Sequence, residues 1–312
     1  MTLVRVFATA DPIEGKLLAN RLESEDIPVL LKGGDAPYHL GPVYLFVPAE
    51  DEIRARLFID ALREGALEQG PPDLDAARSS ARAMLELLDA DLEAGRISEH
   101  AWFDSVADVI TSAYLATDDP RAQSGHKGDE THWEHARSLL VDAIDRDGTF
   151  LDVGCANGYL MESLVRWGAA RGRRIEPYGL EISPELAALA RHRLPDWADR
   201  IHDGNAIDWQ PPMRFDLVRT GLEYVPGNRR RDLLARLLDQ VVVPGGRLIV
   251  GVFDEDRAVV RGEPTVEATV TGWGFVVSGR AERTHFDDER RAYRAFWIDV
   301  DGPGQEAQRL EN

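Results

Sequence analysis

The sequence predicts an open, doubly wound α/β sheet preceded by a smaller α+β module. Three observations predict it. Apolar runs at 149–153, 175–181, 199–203, 214–219 and 246–253 alternate with helical patterns at 157–168, 184–193 and 229–240. That βαβα order is the mark of a parallel sheet with helices on both faces. The first run, in TFLDVGCANGYLMESLV (149–165), turns on glycines into a helix. The last two runs, 274–284 and 292–300, alternate with period two across a short polar link and read as an antiparallel hairpin.

The earlier elements follow in order. Residues 3–8 (LVRVFA) read as a strand, and 11–26 as a helix with apolar Ile13, Leu17, Leu18 and Leu22 and an Asp11-Pro12 start. IPVLLK (27–32) and VYLFVP (43–48) are strands across a Gly/Pro-rich loop, and 49–64 is a second helix. The order β-α-β-β-α suggests a split βαβ sandwich lacking its last strand. GPPDLD (70–75) is the linker. From about 73 to 147 the chain reads as helices, with Met84, Leu85, Leu87, Leu88 and Leu92 on one apolar face and Trp102, Val106, Val109, Ile110 and Tyr114 on another. A polar loop at 118–130 reads as a lid, and a helix at 133–144 is expected to end at a cap formed by Asp147-Gly148. The resulting segments are a small module (1–68), a linker with a helical cap (69–128), the large α/β domain (129–304) and a tail (305–312).

The chain has 312 residues and a formal net charge of −19. So acidic a surface repels phosphate backbones, and nucleic acid is not an expected partner. The basic runs RGRR (171–174) and RRR (229–231) read as solvated helix ends. The single cysteine, Cys155, excludes an intrachain disulfide and a cysteine-based zinc site. No basic leader with an apolar segment opens the sequence and no run of ~18 apolar residues occurs. A cytoplasmic protein without membrane attachment is the expectation.

Glycine spacing narrows what the turn holds. A dinucleotide fingerprint needs G-x-G-x-x-G and a P-loop needs Gly-Lys-Ser/Thr; Gly154 and Gly158 with Cys155, Ala156 and Asn157 between them fit neither. Asp152 ends the strand, and a carboxylate there repels a pyrophosphate but attracts an amino group or a sulfonium. The glycines let the chain turn tightly and admit a ligand against bare backbone.

On these residues LDVGCANG resembles motif I of the class I S-adenosylmethionine-dependent methyltransferases, D/E-x-G-x-G-x-G, with Ala156 in the middle glycine's place. The resemblance covers about residues 130–300. It implies a Rossmann-like, seven-stranded methyltransferase sheet ending in an antiparallel hairpin, with S-adenosylmethionine as cofactor. By resemblance Asp152, Gly154, Cys155, Asn157 and Gly158 form the cofactor turn, and Glu181, with Ile182 beside it in YGLEIS, takes the ribose hydroxyls. Gly204, Asn205 and Ala206 in HDGNAIDW meet the adenine, and Thr220 lies at the substrate end of RFDLVRTGLEYVP. The helices before motif I are expected to cap the cofactor, with Tyr114, His126 and Arg137 as contacts. Their sequence is similar to an actinobacterial-type group of methyltransferases. The first 65 or so residues resemble the PII-like signal-transducing domains, ferredoxin-like in shape, read as a packing or dimerisation module or as a ligand sensor.

The implied reaction is methyl transfer to O, N or C of a small molecule. A cofactor-binding regulator without turnover and a protein or RNA methyltransferase are the rivals. Glu223, Tyr224 and His126 are the candidate catalytic groups, needed only if the acceptor must lose a proton. HWEH (132–135) matches no zinc motif and no metal is expected. Pro211-Pro212 reads as a loop and the Cys155 thiol as a packing group. A second copy of the chain is the other candidate partner.

Overall fold

The computed structural model describes residues 3–9, 12–25, 27–32, 43–63, 85, 87–253, 264–286 and 291–302. Met84, Asp11 and the whole 70–75 linker fall outside them. The chain divides into two compact units, residues 1–96 and 97–312.

In the first unit, β1 (Leu3–Thr9), α1 (Pro12–Ser24), β2 (Leu30–Lys32), β3 (Val43–Pro48) and α2 (Glu52–Arg63) follow in the expected order. The sheet runs β1-β3-β2 with both pairings antiparallel. Alternation along β3 drives Val43, Leu45 and Val47 into a core with Leu22, Ile27, Ala55 and Ile59. A bulge in the β1–β3 register between Arg5 and Phe7 lets the consecutive residues Val6 and Phe7 both turn inward. Residues 87–93 are helical, with Leu88 buried and Leu87 exposed.

The second unit opens with α3 (Glu99–Leu115), begun by the Ser98 hydroxyl, which accepts from the Ala101 amide at 3.2 Å. Next comes α4 (Glu130–Arg137), capped by Asp129, which accepts from the His132 amide at 3.0 Å. The helix expected over 133–144 therefore starts earlier and tightens into a 3₁₀ segment over 138–143. That segment buries Leu139, Leu140 and Val141 in succession, more than one α-helical stripe would hold. Gly148 is not its cap. It is the first residue of β4 (Gly148–Val153), with φ 153°, and Asp216 stands where a side chain would project.

From β4 the alternation continues through α5 (Tyr159–Ala170), β5 (Ile175–Glu181), α6 (Pro184–Arg193), β6 (Ile201–Asp203), β7 (Phe215–Thr220), α7 (Arg230–Arg236), β8 (Val242–Val252), α8 (Val266–Gly272), β9 (Gly279–Thr284) and β10 (Ala292–Asp299). The sheet order is β6-β5-β4-β7-β8-β10-β9. Strands β4 to β8 pair in parallel, and β10 pairs antiparallel with both β8 and β9. The predicted seven-stranded sheet and its closing hairpin are thus present. Chain order reverses between β4 and β7, so their carboxyl ends flank the crevice where ligands of open α/β sheets bind.

Candidate functional site

Two strand ends and a glycine turn build the crevice. After β4 the backbone reverses with Gly154 at φ 73°, Ala156 at φ 48° and Gly158 at φ 77°. The Gly154 and Cys155 amides both donate to the Leu180 carbonyl, at 2.7 and 3.1 Å, which fastens the turn to β5. Neither glycine tolerates a side chain. A Cβ at Gly154 would lie 2.8 Å from the Tyr224 ring, and one at Gly158 would lie 2.5 Å from Leu194. Ala156 holds a left-handed conformation that costs an L-residue about 1–2 kcal/mol. This explains why the motif prefers glycine there.

Asp152 is completely buried at the end of β4. Its Oδ1 accepts from Arg219 Nη1 at 3.1 Å, and its Oδ2 is buried without a hydrogen-bond partner among the described residues. Burial pushes its carboxyl up to about 6 despite the pull of Arg219 and Arg137. Glu181, at the end of β5, is 4% exposed. One of its oxygens accepts from the Ala156 amide at 2.7 Å and the other from the Ser183 amide at 3.0 Å. Burial raises its pKa, and these backbone donors oppose the rise. Each carboxylate oxygen keeps acceptor capacity beyond its one amide.

Arg219 is the residue that sequence reasoning missed. It sits at the end of β7 directly beside Asp152 in the sheet register and is 5% exposed. The same Nη1 that reaches Asp152 donates to the Tyr224 hydroxyl at 2.8 Å. A signal existed: both faces of an inner parallel strand are buried, so a charged residue in FDLVRT requires a buried partner. Burial holds the Tyr224 phenol far above its ordinary range.

Arg137, at the end of α4, lies with its guanidinium 3.6 Å from the Phe253 ring centroid and 5.6 Å from that of Trp133. Among the described residues it has no hydrogen bond or ion pair. Burial and the like charge of Arg219 lower its pKa to about 10, while Tyr224, Tyr114 and Glu223 oppose that fall. The structure thus brings Asp152, Arg219, Tyr224 and Arg137 together, with Glu223 and Tyr114 within electrostatic reach. Glu223 itself is exposed. His126, 7% exposed, instead rests edge-on against Trp133 at 5.3 Å.

The remaining predicted contacts divide by what holds them. The Asn157 side chain joins the loop at 118–130 to the start of α5, where its Oδ1 accepts from the Tyr159 amide at 3.1 Å. It accepts from Ser124 Oγ at 2.6 Å and donates to the Pro120 carbonyl at 2.9 Å and Gln123 Oε1 at 3.1 Å. It latches that loop to the turn. The Cys155 thiol packs between sheet and helix with Met161, Ala187 and Ala190, so only its backbone belongs to the turn. Burial raises its pKa well above the ordinary thiol value. Gly204 donates to the Glu181 carbonyl at 2.9 Å, and Asn205 turns its carbonyl oxygen to the Ile207 amide at 3.1 Å. Ile182 and Ala206 are half-buried, and Thr220 is buried with its hydroxyl donating to the Gly221 carbonyl.

α3 closes the far side of the crevice. Thr111 Oγ1 donates to Ser183 Oγ at 2.6 Å, and Glu99 takes Arg229 Nη1 at 2.8 and 2.9 Å, so one helix ties the residue that caps α6 to the start of α7. Tyr114 packs against Gly125, whose lack of a side chain leaves room for its hydroxyl. Among the described residues no cluster of His, Cys, Asp and Glu could hold a metal, and no helix is long and apolar enough to cross a membrane.

Residues 150–246 match the family described as "Methyltransferase domain". A curated relative, ubiquinone biosynthesis O-methyltransferase of Xanthomonas euvesicatoria pv. vesicatoria, is 30% identical over 114 residues, 35% of this chain and 44% of the relative. The chain therefore spans less than half the length of that relative. Among solved structures, the N-methyltransferase NodS of Bradyrhizobium japonicum with S-adenosyl-L-homocysteine is 17% identical, with 62% of this chain and 97% of NodS covered and a TM-score of 0.48. The 1,6-didemethyltoxoflavin-N1-methyltransferase of Burkholderia thailandensis is also 17% identical, covering 66% and 91% at a TM-score of 0.48.

Proposed function

We propose that the second unit binds S-adenosylmethionine and transfers its methyl group to O, N or C of a small-molecule acceptor. One observation carries the reading: a buried carboxylate oxygen, Asp152 Oδ2, and a half-buried guanidinium, Arg137, neither with a partner among the described residues, interact electrostatically at a glycine turn. An orphaned buried acceptor is costly unless a ligand completes it. An amino-acid end group, ammonium beside carboxylate, satisfies both at once. The family match over 150–246 supports the same class of chemistry.

The cofactor brings the methyl group already activated as a sulfonium, so the protein chiefly binds, orients and excludes water. Asp152 Oδ2 takes the ammonium and Arg137 the carboxylate. Glu181 accepts from the ribose hydroxyls with the lone pairs its amides leave over. Gly154 and Gly158 give the turn its left-handed geometry beneath Tyr224 and Leu194, while Ile182, Gly204, Asn205 and Ala206 flank the base. Thr220 and the loop after β7 face the acceptor, where Tyr224 donates a hydrogen bond and the exposed Glu223 can take up a proton. The net charge of −19 favours a small molecule over RNA.

Calorimetric titration of the full chain with S-adenosylhomocysteine tests the reading. Saturable binding is expected, weakened by more than about 100-fold in Glu181→Ala, which removes two charge-assisted hydrogen bonds worth about 1.5–3 kcal/mol each. No saturable binding by the wild type would sink it.

A further inference from the structure

The cofactor reading gives Arg219 no role, yet this charge is buried directly beside Asp152 in the sheet register. Its Nη1 donates both to Asp152 Oδ1 at 3.1 Å and to the Tyr224 hydroxyl at 2.8 Å, and its Nε is buried without a partner. The Tyr224 ring, 5.6 Å from the guanidinium carbon, is pressed onto Gly154.

We propose that Arg219 is a positioning residue for the cofactor's amino-acid end: one guanidinium nitrogen locks Asp152 Oδ1 and the Tyr224 hydroxyl together. Only Asp152 Oδ2 is then left to face an ammonium group, and the Tyr224 ring closes over the turn. This rests on the cofactor reading above and deepens it. The Tyr224 oxygen is the acceptor in its bond with Arg219, so its own hydrogen is available to a neighbouring group. Tyr224 can therefore offer an acceptor molecule a hydrogen bond without ionising.

Arg219 also keeps Asp152 ionisable. The groups facing that carboxylate are Arg219 from β7, Arg137 from α4, Glu181 from β5, Tyr224 from the following loop and Cys155 in the turn. Only the two arginines favour its charged form. With the Asp152 carboxyl at about 6, ammonium binding weakens as pH falls through that value. Without Arg219 the carboxyl rises further, and the weakening begins near neutrality.

The test uses two nucleosides as probes on the full chain. S-adenosylhomocysteine carries the amino-acid end, and 5′-methylthioadenosine lacks it. Affinities are measured from pH 5 to 8.5 for the wild type, Arg219→Met and Arg219→Lys. Arg219→Met is expected to raise the pH midpoint of S-adenosylhomocysteine binding by a unit or more and to weaken it about tenfold at pH 7. Methylthioadenosine binding stays within about twofold, which shows that the variant is folded. Arg219→Lys, keeping the charge, restores most of the midpoint. An unmoved midpoint in Arg219→Met, or equal loss of both nucleosides in both variants, overturns the positioning role while the cofactor reading stands. A wild type that binds neither nucleoside overturns both.

Discussion

The two units of this chain bury different things. In the first, β1 to β3 with α1 and α2 bury apolar side chains, and among the described residues the one buried charge, Asp91, sits in the helix at 87–93 and pairs with Arg96. In the second, Asp152, Asn157, Glu181, Ser183, Arg219 and Thr220 are all buried and gather at the carboxyl ends of β4, β5 and β7. Burying charge is costly unless partners compensate it. A fold that needed only stability would fill the second crevice as the first unit fills its core. The difference marks a place where polar groups are kept for a ligand.

Asp152→Asn tests that contrast most severely. It keeps the shape and a hydrogen bond to Arg219 but removes the negative charge. Binding of S-adenosylhomocysteine is expected to fall 100-fold or more. Stability behaves differently. Burial raises the Asp152 carboxyl from 3.8 to about 6, so its contribution to stability is fully present below about pH 3.8 and is lost as pH rises through about 6. The total is roughly 3 kcal/mol. In thermal melts from pH 4 to 7.5 the wild type should gain on the variant as pH falls. A constant difference in Tm would show that the carboxylate costs the fold nothing and would break the comparison.

The reciprocal change belongs in the first unit. Leu45 is fully buried on its central strand. Leu45→Ala should destabilise that unit by about 2–5 kcal/mol through lost burial and a residual cavity. Hydrogen exchange is expected to rise in β1 and β3, while S-adenosylhomocysteine affinity stays within about twofold. Loss of binding in step with the first unit's protection would join what the contrast separates.

How much of this was legible beforehand follows from the range of each interaction. Strand order, the glycine turn, Asp152 and Glu181 could be read because local spacing encodes them: an acid ends a strand, and glycines follow. The helix over 133–144 was drawn too long because Leu139, Leu140 and Val141 satisfy a buried 3₁₀ segment as well as an α-helix. The latch from Asn157 to Ser124, Pro120 and Gln123 spans more than thirty residues, and no periodicity announces it. Arg219 was hidden for another reason. Its strand reads as apolar with one charge, and only the sheet order, by setting β7 beside β4, shows that the charge meets Asp152.

The smallest effect concerns the turn itself. Ala156 is the one described non-glycine residue with positive φ, at 48°, and its amide is held by Glu181 at 2.7 Å. Ala156→Gly removes the left-handed penalty of about 1–2 kcal/mol. It also gives the unfolded chain more freedom, which offsets roughly 0.5–1 kcal/mol of that gain. The net expectation is a rise in Tm of about 1–4 °C in the second unit's transition. S-adenosylhomocysteine affinity should hold or improve slightly, because the Glu181 contact is to backbone and survives the change. A lower Tm would mean that the Ala156 methyl packs more tightly than its 7% exposure implies. The strain would then be a packing requirement and not the residue of a missing glycine.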